Sequence, residues 1–310
     1  MDFERNADQQ AILEAVAALL AQHAGAKRAI ELNRKSEYDL ALDAALEAAG
    51  FQGVALAEGT GLLEAAQVVE AVAKAGGVVG IGAAALVAPG LMNGVLPGPI
   101  ALTRAGDTGP VRFAAQARTL LVDAGAEARR LTLAAGDVVP ITSNFMLPMG
   151  RVRGPLDRGE SLGSGSGQRL RNLWRLALAA ETVGTMAACL EVTLDYVKRR
   201  RQFGRAIGSF QAVQHRLAQC AVLVEGSRWL VYEAASQDAP EEAAATAAAH
   251  ASAAASLVFA ETHQFTGAMG FTREHDLHVW SMRLQALRLE AGGVAGHRRA
   301  VAEARWCREP

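Results

Sequence analysis

Apolar side chains recur at helical spacing through the first ninety residues. The pattern runs through residues 9–21, 40–49 and 62–74, where apolar positions three and four apart fall on one face of a helix. Gly50 directly follows the second segment, and glycine commonly ends a helix because it tolerates the left-handed conformation found there. Residues 1–90 are therefore predicted to form an N-terminal helical domain.

Residues 91–165 show a different pattern, in which glycines and prolines separate short runs of mostly apolar residues. Such runs between turn-forming residues are typical of strands, so this zone is predicted to be a small, reduced β domain. The glycine–serine stretch 163–167 is interpreted as a flexible linker, because its spacing does not match a dinucleotide-binding loop. The predicted strands lie at 100–102, 111–113, 119–122, 131–133 and 138–139.

Apolar side chains recur at helical spacing again after residue 165. Four long segments with short joints predict an antiparallel four-helix bundle over residues 166–310, which also carries the contacts between subunits. No strand is expected between Gly204 and Gly292. The predicted fold class is mostly α with a small β portion (α+β). The four segments are 170–199, 209–236, 240–267 and 276–303, and the last is interrupted near Gly292-Gly293.

Composition limits the classes of partner. The 310 residues contain 31 Lys and Arg against 32 Asp and Glu, a formal net charge of −1, which gives no general attraction to nucleic acid or anionic membrane. The uncharged, alanine-rich stretch 243–260 is interpreted as a buried helix and not a membrane span. Three cysteines are too few for a disulfide framework or a zinc site. The first five residues lack the basic start of a secretory signal, so a cytoplasmic protein is expected.

A basic stretch joins the first two predicted helices of the bundle. Residues 198–201 read Lys-Arg-Arg-Arg at the end of one helix, and Ser209 can begin the next. Guanidinium groups beside the free N–H groups of a helix N-terminus can hold a pyrophosphate. The alternative is a solvated basic cap that interacts with the helix dipole and binds nothing. A nucleic-acid site is disfavoured, because no aromatic residues alternate with these charges.

The order of residues in this stretch is more specific than its charge. Residues 200–214 read Arg-x-Gln-Phe-Gly-x-x-Ile-x-x-Phe-Gln-x-Val-Gln, which resembles the signature in the C-terminal bundle of acyl-CoA dehydrogenases. In that family, these positions contact the ADP half of an FAD that is held mainly by the partner subunit. The resemblance implies that five residues bind FAD: Arg200, Gln202, Phe203, Phe210 and Gln211.

A second segment resembles the same family. Residues 264–274 read Gln-Phe-Thr-Gly-Ala-Met-Gly-Phe-Thr-Arg-Glu, similar to the family's Gln-x-x-Gly-Gly-x-Gly-(Phe/Tyr)-Thr-x-Glu loop around a partner's FAD. The resemblance implies FAD contacts from Gln264, Gly267 and Ala268, although Ala268 replaces a glycine and narrows the room for the cofactor. Two nearby histidines three positions apart have no third ligand, so no metal site is predicted.

The resemblance also implies a position for the catalytic base. Family members remove the α-proton of a CoA thioester with a glutamate while a β-hydride passes to the flavin, and the carboxylate needs an apolar, water-poor slot. Glu290 stands at the family position and is the candidate base, and the alternative is a surface glutamate beside Arg288. Other members place the base on the first bundle helix, where this chain has Trp174. The next residue, Arg175, is expected near the substrate.

The segments that hold a subunit's own flavin in the family are reduced here. Only a remnant at 102–107 corresponds to the family's Thr-Glu-Pro-x-(Ala/Val)-Gly-Ser-Asp segment, and no Trp-Ile-Thr segment is found. Gly292 stands where the family has the threonine that meets the flavin. The chain therefore resembles a short, partly degenerate member, like one subunit of the actinobacterial α2β2 enzymes that act on sterol or bile-acid side chains.

The leading interpretation is a subunit of an FAD-dependent acyl-CoA dehydrogenase, which desaturates a CoA thioester in fatty acid or steroid side-chain β-oxidation. The expected partner is a full-length homologue in an α2β2 assembly, which supplies the working base in place of Glu290. The expected electron acceptor is an electron-transfer flavoprotein. Two alternatives stay open: a self-contained homo-oligomer that uses Glu290, and a non-catalytic scaffold that has lost FAD.

Overall fold

The computed structural model describes residues 5–307, and most of them are helical. The first four residues, to which the expectation about a secretory signal refers, lie outside this range. The α-helices are α1 (Ala7–His23), α2 (Ala26–Lys35), α3 (Leu40–Ala48), α4 (Leu62–Lys74), α5 (Ala88–Met92), α6 (Ser166–Arg199), α7 (Gln211–Ser236), α8 (Glu241–Thr266), α9 (Leu277–Leu287) and α10 (Gly293–Trp306). The strands are β1 (Ile100–Arg104), β2 (Val111–Arg112), β3 (Thr119–Asp123), β4 (Glu127–Thr132), β5 (Val138–Ile141), β6 (Met149–Val152), β7 (Glu160–Ser164), β8 (Arg201–Gln202) and β9 (Arg205–Ala206).

Helices α1, α3 and α4 occupy the segments where the sequence has a helical period. The pattern does not predict α2 or the π-helical segment Gly82–Val87. Helix α2 buries only Ala29 and Leu32, so its apolar stripe is too short to stand out. Every residue of Gly82–Val87 is buried, and a segment without a polar face shows no period.

Two small sheets form the central zone. The first has the strand order β1-β3-β4-β7, with β1 parallel to β3 and the other pairs antiparallel, and the second is the antiparallel set β2-β6-β5. The five predicted strands are confirmed as β1 to β5. The sequence pattern misses β6 and β7, because their glycines, arginines and serines interrupt any apolar alternation.

The interpretation of residues 163–167 as a flexible linker is wrong. The stretch begins within β7, which pairs with β4, and α6 starts at Ser166. A Cβ atom at Gly167 would collide with the carbonyl oxygen of Gly125, and Ser166 Oγ accepts a hydrogen bond from Ala128 N at 2.8 Å. The small residues let the start of α6 approach the sheet closely.

Helix α6 lies at the centre of the C-terminal zone and packs against α7, α8 and α9, while α10 packs on α8. The expected interruption of the last segment is confirmed, since α9 ends at Leu287 and α10 begins at Gly293. The expectation of no strand between Gly204 and Gly292 is wrong, because β9 lies there and pairs with β8. Phe203 at φ 54° and Gly204 at φ 78° form the tight turn of this hairpin.

One continuous apolar core connects the three zones. Glu70 on α4 accepts hydrogen bonds from Arg228 Nε at 2.7 Å and Tyr232 Oη at 2.9 Å on α7. Helix α6 and the helical run Glu241–Phe271 are long and apolar enough to cross a membrane, but 83% of the apolar window of α6 is buried inside the fold, as in the core helix of a folded domain. The division into domains at residues 90 and 165 stays a prediction.

Candidate active site and cofactor-binding surface

Glu290 lies in the short turn between α9 and α10. The 3₁₀ turn Glu290–Gly292 follows Leu289, and Ala291 within it has φ 50° and ψ 31°. Gly292 and Gly293 also have positive φ, at 93° and 62°. An alanine in the left-handed region is strained, so this turn has a geometry that the chain would not adopt without its neighbours.

The carboxylate of Glu290 is held by two side chains. Arg112 on β2 donates to it from Nε at 2.7 Å and from Nη2 at 3.3 Å. Trp174 on α6 donates from Nε1 at 3.4 Å. The other arm of Arg112, Nη1, donates to Glu181 on α6. Arg112 thus bridges two carboxylates, one from the middle of a buried helix and one from the turn.

Burial and the neighbouring charges shift the pKa values of this cluster in opposite directions. Although burial disfavours its charge, the two carboxylates hold the pKa of Arg112 above its ordinary value. Burial raises the pKa of Glu181 in spite of the neighbouring guanidinium. Burial also lowers the pKa of Arg283, which donates to the carbonyls of Gly77 and Gly76, to about 10. The cluster is a desolvated ion network whose members depend on one another.

A cavity of about 310 Å³ opens beside Glu290, between the central strands and the bundle. Thr103 and Asp107, from the remnant segment 102–107, lie on its wall. Two smaller cavities of about 20 Å³ each are also lined by Arg112. Arg112 therefore lies in the wall of all three cavities. The remaining lining of the open cavity is Leu102, Gly109, Pro110, Val111, Arg112, Phe145, Met149, Trp174, Ala286, Leu289, Glu290 and Ala291.

Arg175 is buried and is not among the residues that line this cavity. Its Nε and Nη1 atoms have no hydrogen-bond partner within the described part of the chain. Burial lowers its pKa, and nearby Arg104 lowers it further. His297 on α10 lies in the same positive environment, and burial lowers its pKa to about 4. A role for Arg175 in substrate binding stays a prediction.

The residues predicted to bind FAD lie at the other motif, around the junction of α6 and α7. Arg200 follows the last residue of α6, and Gln211 is the first residue of α7. Phe203 is 90% exposed at the tip of the hairpin and contacts Phe210 edge-to-face, with ring centroids 6.1 Å apart. Arg205 stacks over Phe210, 4.0 Å from the ring centroid. The hairpin thus presents cations and aromatic rings outward.

The structure brings the two FAD motifs to one end of the bundle. Arg216 in the second turn of α7 pairs with Glu261 near the end of α8 at 2.7 Å. Tyr196 near the end of α6 contacts His275, just after the glycine-rich loop, with ring centroids 5.4 Å apart. Of the eight candidate residues, Phe210 is half-buried, and seven are exposed: Arg200, Gln202, Phe203, Gln211, Gln264, Gly267 and Ala268.

This surface fits the ADP half of FAD better than the cavity fits a flavin ring. No side chain caps the N-terminus of α7 at Phe210. The N–H of Val213 donates to the carbonyl of Phe210 at 3.0 Å, so the N–H groups of Gln211 and Ala212 are the ones that an anion could reach. The cavity at Glu290, in contrast, is near the lower limit for ligand sites, and Arg112 closes its inner wall. The surface at the start of α7 is therefore open, whereas the cavity at Glu290 is restricted, and FAD binding by these residues stays a prediction.

Sequence reasoning missed Arg112 and Glu181, which the structure places at the centre of the buried network. Each is a charged residue within an apolar stretch: Arg112 stands between Val111 and Phe113, and Glu181 lies in the buried span of α6. A charge in such a stretch is seldom buried without a partner. That signal could have indicated an ion pair, but the identity of the partners depends on the fold.

The C-terminal zone matches a known domain. Residues 168–305 match the family described as acyl-CoA dehydrogenase, C-terminal domain. The acyl-CoA dehydrogenase IpdE2 of Mycobacterium tuberculosis is 43% identical over 108 residues, 35% of this chain and 34% of that protein. The acyl-CoA dehydrogenase FadE34 of the same organism is 31% identical over 228 residues, 70% of this chain and 30% of that protein. The chain thus matches about a third of the length of these relatives.

The whole chain aligns with solved structures of the same architecture. A chain of the ChsE4–ChsE5 complex from Mycobacterium tuberculosis superposes with a TM-score of 0.82 over 100% of both chains, at 22% identity. Butyryl-CoA dehydrogenase from Megasphaera elsdenii superposes with a TM-score of 0.80 over 98% of this chain and 99% of that chain, at 20% identity. The predicted order of helices, reduced β portion and C-terminal bundle is confirmed.

Proposed function

We propose that the chain, whose residues 168–305 match the acyl-CoA dehydrogenase C-terminal domain, is a subunit of a flavin-dependent acyl-CoA dehydrogenase. In this proposal it pairs with a full-length homologue and contributes the ADP-side contacts to an FAD whose flavin ring lies in that partner. The similarity to IpdE2 and to the ChsE4–ChsE5 fold supports this assignment. The assembly expected is α2β2, with an acyl-CoA substrate and an electron-transfer flavoprotein as acceptor.

The proposal rests on a difference between the predicted FAD surface and the Glu290 site of the same chain. The segment around Arg200 and Gln211 is exposed, and no side chain caps the N-terminus of α7. Glu290, at the family position of the base, is instead bound by Arg112 and Trp174. A subunit that keeps the first site and closes the second can serve a partner's flavin without catalysing at its own base.

The chain's residues have defined roles in this proposal. Arg200 and the first N–H groups of α7 hold the FAD diphosphate by charge-assisted hydrogen bonds. Phe203 and Phe210 cover apolar surface of the adenosine, and the glycine-rich loop at Gly267 allows close backbone approach. Bound FAD supplies the hydride acceptor for the reaction.

Glu290 does not act as the base in this proposal. A general base needs a free carboxylate within hydrogen-bond reach of the proton that it removes. Here Arg112 and Trp174 together offer three N–H groups to that carboxylate, so abstraction would require this contact to break. The base is therefore assigned to the partner subunit. The cavity of about 310 Å³ favours the second candidate, a self-contained homo-oligomer that uses Glu290.

The first experiment measures flavin in the assembled complex. The chain is co-expressed with a full-length homologue, and bound FAD is counted per chain with and without the partner. Arg200→Ala should weaken FAD retention by roughly 10- to 100-fold, because a hydrogen bond to a charged group contributes about 1.5–3 kcal/mol. Arg34→Ala, on the exposed surface of α2, is the matched control. Unchanged FAD retention in Arg200→Ala would contradict the proposal.

The second experiment separates the two candidate functions. Glu290→Gln in the same complex should change turnover of an acyl-CoA by less than a few-fold, because the carboxylate is not the base. Loss of a working general base typically costs about 10²-fold or more. A loss of that size would instead assign the base to Glu290. A chain that binds FAD stoichiometrically without any partner would also favour the self-contained enzyme.

A further inference from the structure

The contacts around Glu290 form a complete carboxylate-binding site. Two N–H groups of Arg112 and one of Trp174 converge on a single carboxylate, at 2.7, 3.3 and 3.4 Å. The pairing of an arginine fork with both carboxylate oxygens is geometrically specific and among the stronger polar contacts in proteins. The site lies in the wall of an open cavity, so what occupies it now is a side chain of the same protein.

Arg112 is held on its other side by a second carboxylate, whereas Glu290 stands on a strained turn. Nη1 of Arg112 is anchored by Glu181, whose side chain is 10% exposed and packs tightly against Gly82. Glu290 stands on a turn with Ala291 in the left-handed region and with exposed Leu289 before it. Withdrawal of Glu290 from this contact would return its carboxylate to water, because Leu289 before it is already exposed.

We propose that the cavity binds the carboxylate of an apolar acid, which displaces Glu290 from Arg112 and Trp174. The exchange keeps the charge of the buried network constant, because one carboxylate replaces another beside Arg112 and Glu181. An uncharged ligand in that position would leave a buried guanidinium with a single counterion, which is costly. The chemistry of the site therefore selects for an anion with the geometry of a carboxylate.

The body of the ligand is apolar and small. Leu102, Val111, Phe145 and Met149 lie in the wall with the indole of Trp174, and Thr103 and Asp107 are polar residues of the same wall. The volume of about 310 Å³ is at the lower end for small-molecule sites. Displacement of Glu290 adds the adjoining void of about 20 Å³, which Glu290 and Arg112 also line. A short straight or branched acid is suited to this space, and hexanoate is the probe chosen for it.

The site is independent of the proposed flavin role. None of the residues that line the cavity belongs to the two FAD motifs, so Arg200→Ala should leave acid binding unchanged. The carboxylate could come from a free acid or from the far end of an acyl group carried by CoA. Binding of hexanoate, of hexanoyl-CoA and of the mono-CoA thioester of adipic acid separates these sources, since only the last ester has a distal carboxylate.

The test measures hexanoate binding by calorimetry in the full chain and its variants, with hexanol as the uncharged control. Glu290→Ala should bind hexanoate at least about 10-fold more tightly than the unmodified chain, because a competitor that fills the receptor more than nine-tenths of the time reduces apparent affinity by that factor. Glu303→Ala, exposed on α10, should bind as the unmodified chain does. Arg112→Met combined with Glu290→Ala should lose the preference for hexanoate over hexanol.

A second measurement uses the unmodified chain and does not depend on the folding of any variant. Hexanoate should increase amide hydrogen exchange at residues 289–293, because Glu290 and its turn are released, whereas hexanol should not. Equal affinity of Glu290→Ala for hexanoate and hexanol overturns the proposal. So does unchanged or slower exchange at 289–293 under saturating hexanoate.

Discussion

Replacement of Arg112 by methionine tests whether the buried ion network is as interdependent as its geometry indicates. Methionine keeps much of the length and apolar volume of the arginine side chain but removes all its N–H groups. Glu181, with 8% of its surface exposed, then loses its counterion, and Glu290 loses two of its three donors. The perturbation is therefore a loss of charge compensation with little loss of packing.

The expected cost is about 3–5 kcal/mol in the free energy of unfolding at pH 8, the range measured when one partner of a buried ion pair is removed. The cost should depend on pH. Burial already raises the pKa of Glu181 above its ordinary 4.5, and without Arg112 it rises further. The folded state then gains stability by binding a proton, and that gain is complete at low pH and lost as pH rises through the folded pKa. Arg112→Met should therefore be less destabilised at pH 5 than at pH 8.

Urea unfolding followed by tryptophan fluorescence at pH 5 and pH 8 measures both effects, provided that the slope with urea is unchanged. Arg118→Met, an exposed position before β3, should cost less than about 0.5 kcal/mol. The double variant Arg112→Met with Glu181→Leu should recover most of the stability, because hydrophobic replacement of a whole buried pair is often neutral. A cost below about 1 kcal/mol for Arg112→Met, equal at both pH values, would refute the reasoning.

Two further predictions concern burial elsewhere in the fold. Burial lowers the pKa of His297 from 6.5 to about 4, so the unfolded chain binds the extra proton and up to about 3 kcal/mol of stability is lost as pH falls through that window. His297→Leu should lose less stability between pH 7 and 5 than the unmodified chain in the same unfolding assay, and equal losses would contradict the prediction. Gly184→Ala should cost about 1–3 kcal/mol, because the new Cβ would collide with the carbonyl oxygen of Glu70 where α6 meets α4. In Gly226→Ala the new Cβ meets only His250 at 3.5 Å, so thermal unfolding should show no loss there.

The sequence by itself determined the helices with a clear apolar stripe and the strands with a short apolar run. Helix α4, for example, begins and ends where its pattern does, at Leu62 and Lys74. Its period is visible in the sequence because Glu64, Gln67 and Glu70 interrupt the apolar residues at helical spacing, although only Lys74 is exposed. The residue order around Arg200 likewise indicated the family, since a linear signature needs no knowledge of distant contacts. These features are local along the chain, and so the sequence alone expresses them.

Elements whose sequence shows no regular apolar pattern could be identified only from the tertiary structure. The segment Gly82–Val87 is buried on every side, and β7 with its glycines and serines looks like a linker until β4 pairs with it. Whether the Glu290 carboxylate is free or held depends on two distant residues. Arg112 lies 178 positions away in sequence, and Trp174 lies 116 positions away. No local sequence pattern predicts contacts between residues so far apart in sequence. Whether a carboxylate is free to act as a base or is bound as an ion depends on which side chains the fold brings within hydrogen-bond distance of it.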